Sequence, residues 1–220
     1  RMNLAKHGLT DRIEEINRTL VGYSRELAGN GVYVAGDITT SGSFITADGN
    51  YTYTEAFDMY QEQVRILADA GIDLIAAETM INIEETLAAV DAASSVCDLP
   101  IMCTMTVEAD GSIFSGGNAI EASVSLEAAG ADAVGINCSV GPDQLVSVVR
   151  SIKENVSIPV IAKPNAGMPT IDDKGQAVYS MNAEDFASYM KVLIESGASV
   201  VGGCCGTTPA FIKALHDSIR

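Results

Sequence analysis

The chain has 220 residues, 47% of them hydrophobic, with a formal net charge of −16 and five cysteines. That charge excludes nucleic-acid backbones and anionic membrane surfaces as partners, and no apolar run approaches the roughly 18 residues of a membrane span. An odd number of cysteines, in a chain long enough to bury its own core and without a signal-peptide pattern, points to reduced thiols and a cytoplasmic setting.

In chain order, the first predicted element is an amphipathic helix over 9–27. Ile13, Ile16, Leu20 and Leu27 recur there at helical spacing, and Thr10 or Asp11 can cap it. A short β-rich run follows over 32–37, ending in Asp37, and then a polar loop over 39–52. From there helices and strands alternate. Helices are expected over 54–71, 83–94, 118–130, 143–155, 183–197 and 209–218, and strands over 72–78, 100–106, 133–138, 159–163 and 198–201. With the run at 32–37 this makes six strands, each followed by a helix.

The strands are near-continuously apolar, as parallel strands buried on both faces are. The helix-to-strand junctions DAGIDLI, EAAGADAVGI and ESGASVVGG echo one another, with glycine ending the helix. No GxGxxG follows a first strand, so a dinucleotide-binding sheet has no support. Asp37, Glu78, Cys138, Asn165 and the pair Cys204-Cys205 all fall at or just past the carboxyl ends of predicted strands. In a (β/α)8 barrel those ends converge on one mouth, where such enzymes carry their chemistry; in an open sheet they would lie too far apart to share a metal ion.

The segment Val200-Val201-Gly202-Gly203-Cys204-Cys205-Gly206-Thr207-Thr208-Pro209 is the most informative stretch of the chain. Adjacent thiols between glycines suit ligation of one soft metal ion better than a strained vicinal disulfide. Cys138 lies on the second strand before that pair, and Glu78 on the second strand before Cys138, so all three belong to alternate strands and can meet across a barrel mouth. Cys97 and Cys103 sit before and within a strand and read as packing residues. Both members of the pair can face one ion only if the chain bends there, which the flanking glycines make easy. Three thiolates with one open position is the layout of a catalytic zinc site, suited to presenting a bound thiol to an electrophilic methyl group.

These residues carry a resemblance. Gly135-Ile136-Asn137-Cys138 together with the double-cysteine segment resembles the homocysteine S-methyltransferase family, most closely the homocysteine-binding domain of its cobalamin-dependent and bifunctional members. Val34-Ala35-Gly36-Asp37-Ile38, Ile75-Ala76-Ala77-Glu78-Thr79-Met80 and Lys163-Pro164-Asn165-Ala166-Gly167-Met168-Pro169 extend it over essentially the whole chain. The resemblance implies an α/β (β/α)8 TIM-type barrel, Zn2+ on Cys138, Cys204 and Cys205, and homocysteine as methyl acceptor. It implies that Glu78 binds the substrate's amino group, the plainer alternative being an ion pair with a nearby Lys or Arg. Asn165 would place its amide oxygen in zinc's open position until homocysteine displaces it, or else only shape its turn. Asn137 would orient Cys138 through hydrogen bonds, and Asp37 would hold the loop after its strand.

Gly206 resembles the cobalamin and folate type, which implies methylcobalamin with methyltetrahydrofolate as donor, and cobalamin- or folate-binding modules in the full-length protein or a partner. The departures are an N-terminal part and a loop. The family's first two strands, with an Asp-Gly-Ala-Met-Gly-Thr-like loop, have no counterpart, and Arg1 opens the chain inside a family-like segment. Residues 1–220 are therefore expected to form a single homocysteine-binding barrel domain lacking its first two strands, with about six of the eight β/α units. Thr39-Thr40 replaces the usual Gly-Pro. Two other readings stay open: a non-catalytic zinc- and thiol-binding fragment, and a phosphate-binding barrel using the glycine-rich segment before the last helix.

Overall fold

The computed structural model describes residues 1–45 and 51–220. The loop expected over 39–52 thus lies outside the described residues at 46–50. A short helix α1 (Met2–Ala5) and a 3-10 turn (Thr10–Arg12) precede α2 (Ile13–Ala28). Then β1 (Ala35–Thr39), α3 (Tyr53–Asp69), β2 (Leu74–Met80), α4 (Ile83–Val96), β3 (Ile101–Met105), α5 (Ala119–Ala128) and β4 (Ala133–Asn137) alternate. A 3-10 turn (Pro142–Gln144) leads into α6 (Val146–Asn155), followed by β5 (Val160–Lys163). A hairpin β6 (Pro169–Ile171) and β7 (Ala177–Tyr179) comes before α7 (Ala183–Glu195), β8 (Ala198–Val201) and α8 (Pro209–Ser218).

Among the described residues the main sheet has six strands in the order β1-β2-β3-β4-β5-β8, every neighbouring pair parallel. The order follows the chain without reversal. A doubly wound sheet reverses at its switch point and places helices on both faces; crossovers that all advance one way, each right-handed, place them on one face, as in a barrel wall. The sheet is α/β of the TIM-barrel type, open between β1 and β8.

The open side has a visible cost. Along β1, Gly36 and Ile38 are buried while Ala35, Asp37 and Thr39 are exposed, because one face has no layer over it. The apolar run expected as strand at 32–37 also begins too early. Val32 and Tyr33 are 59% and 81% exposed, and pairing starts only where Ala35 meets Leu74. The Asp73 carboxylate accepts from Val34 N–H at 2.6 Å and pairs with Arg25 at 2.7 Å, fixing the point of entry.

The repeated junctions share this device. As Asp73 reaches back to Val34, Asp132 accepts from Ile101 N–H at 2.8 Å. Each junction aspartate thus satisfies the first backbone donor of the preceding strand, which has no ladder partner there. Helix starts are set by side-chain caps: Thr52 and Glu55 form a reciprocal capping box, and Asn82, Asn118 and Asn182 each accept from the first helical turn.

The hairpin was not expected from the sequence. Asp172 turns it, accepting from Lys174 and Gln176 N–H at 2.8 Å each, with Gly175 at φ 75°. Its ladder is short and mostly exposed, so it lacks the apolar run that marks the sheet strands.

Gly135 is where the wall is tightest. A Cβ there would stand 2.0 Å from the Ile161 carbonyl oxygen and 2.7 Å from its nitrogen. Those are backbone atoms of the paired strand and cannot move aside without breaking the β4–β5 ladder. Gly135→Ala is expected to lower stability by about 3 kcal/mol, read as a shift of the urea midpoint; an unchanged midpoint would show that the two strands can separate locally.

Candidate metal centre

Cys138 follows the last residue of β4 and adopts a left-handed backbone, φ 50°. Thr79, near the end of β2, does the same at φ 59°. Such geometry costs a non-glycine residue of order 1–3 kcal/mol and persists only where surrounding contacts enforce it. Here the enforcing group is Asn137, which has no exposed surface. Its Oδ1 accepts from Thr79 N–H at 2.7 Å and Thr104 Oγ1 at 2.8 Å. Its Nδ2 donates to Thr79 Oγ1 at 2.9 Å and reaches Cys204 Sγ at 3.9 Å. Asn137 was expected to orient Cys138; its amide holds Thr79, Thr104 and Cys204, and Cys138 is the next residue in the chain.

The double cysteine leaves the extended form at the end of β8. Cys205 and Gly206 lie in a turn closed by Thr207 N–H on the Cys204 carbonyl at 3.2 Å. Asn165, 6% exposed, braces it from β5: Nδ2 donates to the Ser139 carbonyl at 2.6 Å, and Oδ1 accepts from Cys205 N–H at 3.0 Å. One side chain therefore links the segment after Cys138 to the segment carrying Cys205. In this arrangement the Asn165 oxygen faces a backbone donor, where the sequence had suggested the open position of a metal.

The base of the hairpin closes over the same loop. Ala166 N–H donates to the Cys205 carbonyl at 2.9 Å, and Met181 N–H to the Ala166 carbonyl at 3.1 Å. The Tyr179 ring lies on Gly206, where a Cβ would meet ring carbon Cγ at 2.3 Å. Gly206 also has φ 80°, so both backbone and packing require glycine there.

The result is a group of three thiols. The Sγ atoms of Cys138, Cys204 and Cys205 lie within 4.8 Å of one another, the Cys138–Cys205 pair at 3.4 Å. Tetrahedral thiolate ligation of zinc, with Zn–S about 2.3 Å, needs sulfurs about 3.8 Å apart. The three thiols therefore fit a soft divalent ion with little adjustment, and Cys205 is exposed, leaving the fourth side open to the mouth. Hydrogen bonding with Cys138 brings the Cys204 thiol down to about 6, while the same contact and desolvation push Cys138 up.

Cys97 and Cys103 stay outside this group. Cys97 caps the end of α4, and Cys103 is fully buried in β3, its thiol pushed up to about 12 by desolvation.

A charged cluster adjoins the thiols. Glu78 forms an ion pair with Lys163 at the end of β5, a partner that the sequence left unnamed. Asp37 faces both. Desolvation first, then the Glu78 charge, raises its carboxyl to about 6, although the residue keeps an open face to solvent. The residues just after β1 are held by Glu85, fully buried on α4, which accepts from Thr40 Oγ1 at 2.7 Å, Ser41 N–H at 2.9 Å and the Tyr60 hydroxyl at 3.0 Å.

Several backbone donors of the glycine-rich segment are spent internally. Gly202 N–H bonds to Ala162 O, Cys204 N–H to Pro164 O, and Cys205 N–H to Asn165 Oδ1, at 3.2, 2.9 and 3.0 Å. A phosphate cradle needs such donors free, so this arrangement does not favour one.

A one-way parallel barrel wall with three thiols converging at its carboxyl edge defines an α/β protein with a thiol group that fits one soft metal ion. The homocysteine S-methyltransferase profile matches residues 1–219, and the chain belongs to that family. It is 31% identical, over 229 aligned positions and 99% of its length, to methionine synthase of Mycobacterium tuberculosis, of which it covers 19%. It is 33% identical over 201 positions to homocysteine S-methyltransferase 3 of Zea mays, covering 88% of this chain and 57% of that protein. The metallated form of the homocysteine methyltransferase MmuM from Escherichia coli superposes with a TM-score of 0.73 at 24% identity, over 98% of this chain and 75% of that one. The chain thus spans about a fifth of the bacterial synthase and under three fifths of the plant enzyme. Among the described residues no helix is long and apolar enough to cross a membrane.

The Asn165 brace is expected to matter for metal retention. Asn165→Ala leaves Cys205 N–H and the Ser139 carbonyl unpaired and should weaken zinc binding by about 10- to 100-fold, measured by competition with a chromogenic chelator. Unchanged affinity would mean that the turn holds Cys205 by itself.

Proposed function

We propose that this chain is the homocysteine-binding barrel domain of a zinc-dependent methyltransferase that converts homocysteine to methionine. The convergence of Cys138, Cys204 and Cys205 at the barrel mouth carries this reading, and family membership supports the substrate. Bound by these thiolates, zinc would supply the Lewis acidity that keeps an incoming thiol ionised at neutral pH yet nucleophilic.

The chain's own residues do the rest. Asn137 and Asn165 hold the thiol-bearing segments in place. Glu78, beside Cys204, takes the substrate's ammonium once Lys163 gives way. The homocysteine sulfur then attacks the methyl carbon. An S–C bond forms, the carbon–donor bond breaks with its electron pair left on the donor, and the thiol proton goes to solvent. Methylcobalamin, recharged by methyltetrahydrofolate, is the proposed donor, with the cobalamin- and folate-binding modules in the remainder of a longer protein or in a partner. The large unmatched share of the bacterial synthase leaves room for such modules. A cytoplasmic setting fits reduced thiols.

A second reading has its own support. The sheet is open between β1 and β8 among the described residues, so the chain could bind zinc and thiols without turnover.

Zinc content and product formation separate the two. The parent chain should bind zinc stoichiometrically, and Cys138→Ala and Cys205→Ala should lose it. Methionine should form from homocysteine with methylcobalamin and not with S-methylmethionine. Stoichiometric zinc in both variants would contradict the centre; zinc in the parent without methionine from either donor would select the binding-only reading.

A further inference from the structure

The Glu78–Lys163 pair sits at the mouth with each side chain 25% exposed, so neither charge is sealed from a ligand. Lys163 is the last residue of β5, paired in register with Asn137, and its stem passes Gly202 just before the double cysteine. A Cβ at Gly202 would already be 3.4 Å from Lys163 Cγ. The ammonium is therefore carried between the thiol loop and Glu78. Asp37, on β1, faces the same pair and feels both charges.

Two carboxylates and one ammonium make up this cluster, with the ammonium on Glu78. Of the ion pairs among the described residues, the one involving Lys163 is that with Glu78. An amine docking here meets two acids, and a carboxylate docking here meets one cation. An α-amino acid brings both groups on one carbon, and homocysteine carries its thiol two methylenes away. With its sulfur at the thiolates, its α-carbon falls beside this cluster, since Lys163, whose carbonyl accepts from Cys138 N–H at 3.2 Å, leads from the thiols to Glu78. The arrangement of lowest electrostatic energy alternates signs: acids on the ammonium, Lys163 on the carboxylate.

We propose that Lys163 is a specificity-determining residue: its ammonium moves from Glu78 to the α-carboxylate of the incoming amino acid, freeing Glu78 and Asp37 for the α-ammonium. The mouth then selects an α-amino-acid thiol over a simple thiol or an aminothiol. Lys163 on Glu78 acts as a stand-in for the substrate's own ammonium, keeping the acid paired and in position. This rests on the reading of homocysteine as substrate and adds the group that recognises its carboxylate.

Calorimetric titration of the zinc-loaded chain tests it, with homocysteine, 3-aminopropanethiol (no carboxylate) and 4-mercaptobutanoate (no amine) as ligands. Lys163→Met should weaken homocysteine and 4-mercaptobutanoate by about tenfold. It should leave 3-aminopropanethiol unchanged or tighter, because its competitor for Glu78 is gone. Lys163→Arg should recover the two carboxylate ligands. Zinc content and unfolding midpoint serve as controls, and Lys163→Gln replaces the Met variant should that fail to fold. Equal weakening of all three ligands, or of none, would overturn the Lys163 assignment while leaving the functional reading intact. Failure of homocysteine itself to bind the parent would overturn both.

Discussion

The amide of Asn137 is the point at which the mouth is tied together. Buried without exposed surface, it must satisfy its hydrogen-bonding groups within the protein. It does so on three neighbours: Thr79 from β2, Thr104 from β3 and Cys204 from the loop after β8. That requirement fixes how two strand ends and the thiol loop sit relative to β4. The left-handed turns at Thr79 and Cys138 follow, since an extended chain at either would carry these groups away from one another. Asn165 repeats the principle one strand further on, joining the segment after Cys138 to Cys205. Two buried amides thus convert the register of a parallel sheet into the convergence of three sulfur atoms.

Electrostatics at the mouth are arranged for opposite ends of one ligand. The thiol group holds a low-lying thiolate at Cys204 and an open side at Cys205. The neighbouring cluster holds Asp37, Glu78 and a single cation. A mouth of this kind is rich in negative charge, in keeping with a chain whose net charge is −16. Its natural complements are a divalent cation at one end and a zwitterion at the other. The open flank between β1 and β8 borders the second of these.

Much of the fold was legible in the sequence because buried parallel strands leave continuous apolar runs, and β2 through β5 and β8 fall where those runs are. The alternate-strand spacing of Glu78, Cys138 and Cys204 also anticipated the convergence of the thiols. Other features left no such trace. Val32 and Tyr33 look like strand but are exposed, because the junction acid Asp73, not hydrophobicity, sets where β1 begins. The β6–β7 hairpin is held by a turn and a few ladder bonds, with little burial to pattern it, although Asp172 and Gly175 were a readable turn signal. The hold of buried Glu85 on Thr40 and Ser41 joins residues more than 40 positions apart and has no local pattern to announce it. The Lys163–Glu78 contact joins residues 85 positions apart, and only strand register brings them together. Backbone handedness at Cys138 is likewise imposed by neighbours, and nothing in the local residue types encodes it.

The central claim is that Cys138, Cys204 and Cys205 hold one zinc ion with its fourth position open to a substrate thiol. X-ray absorption at the zinc edge tests this directly. The zinc-loaded chain should show three sulfur neighbours at about 2.3 Å and one nitrogen or oxygen, changing to four sulfurs when homocysteine is added. A shell with two sulfurs or fewer, or one that homocysteine leaves unchanged, would contradict the account.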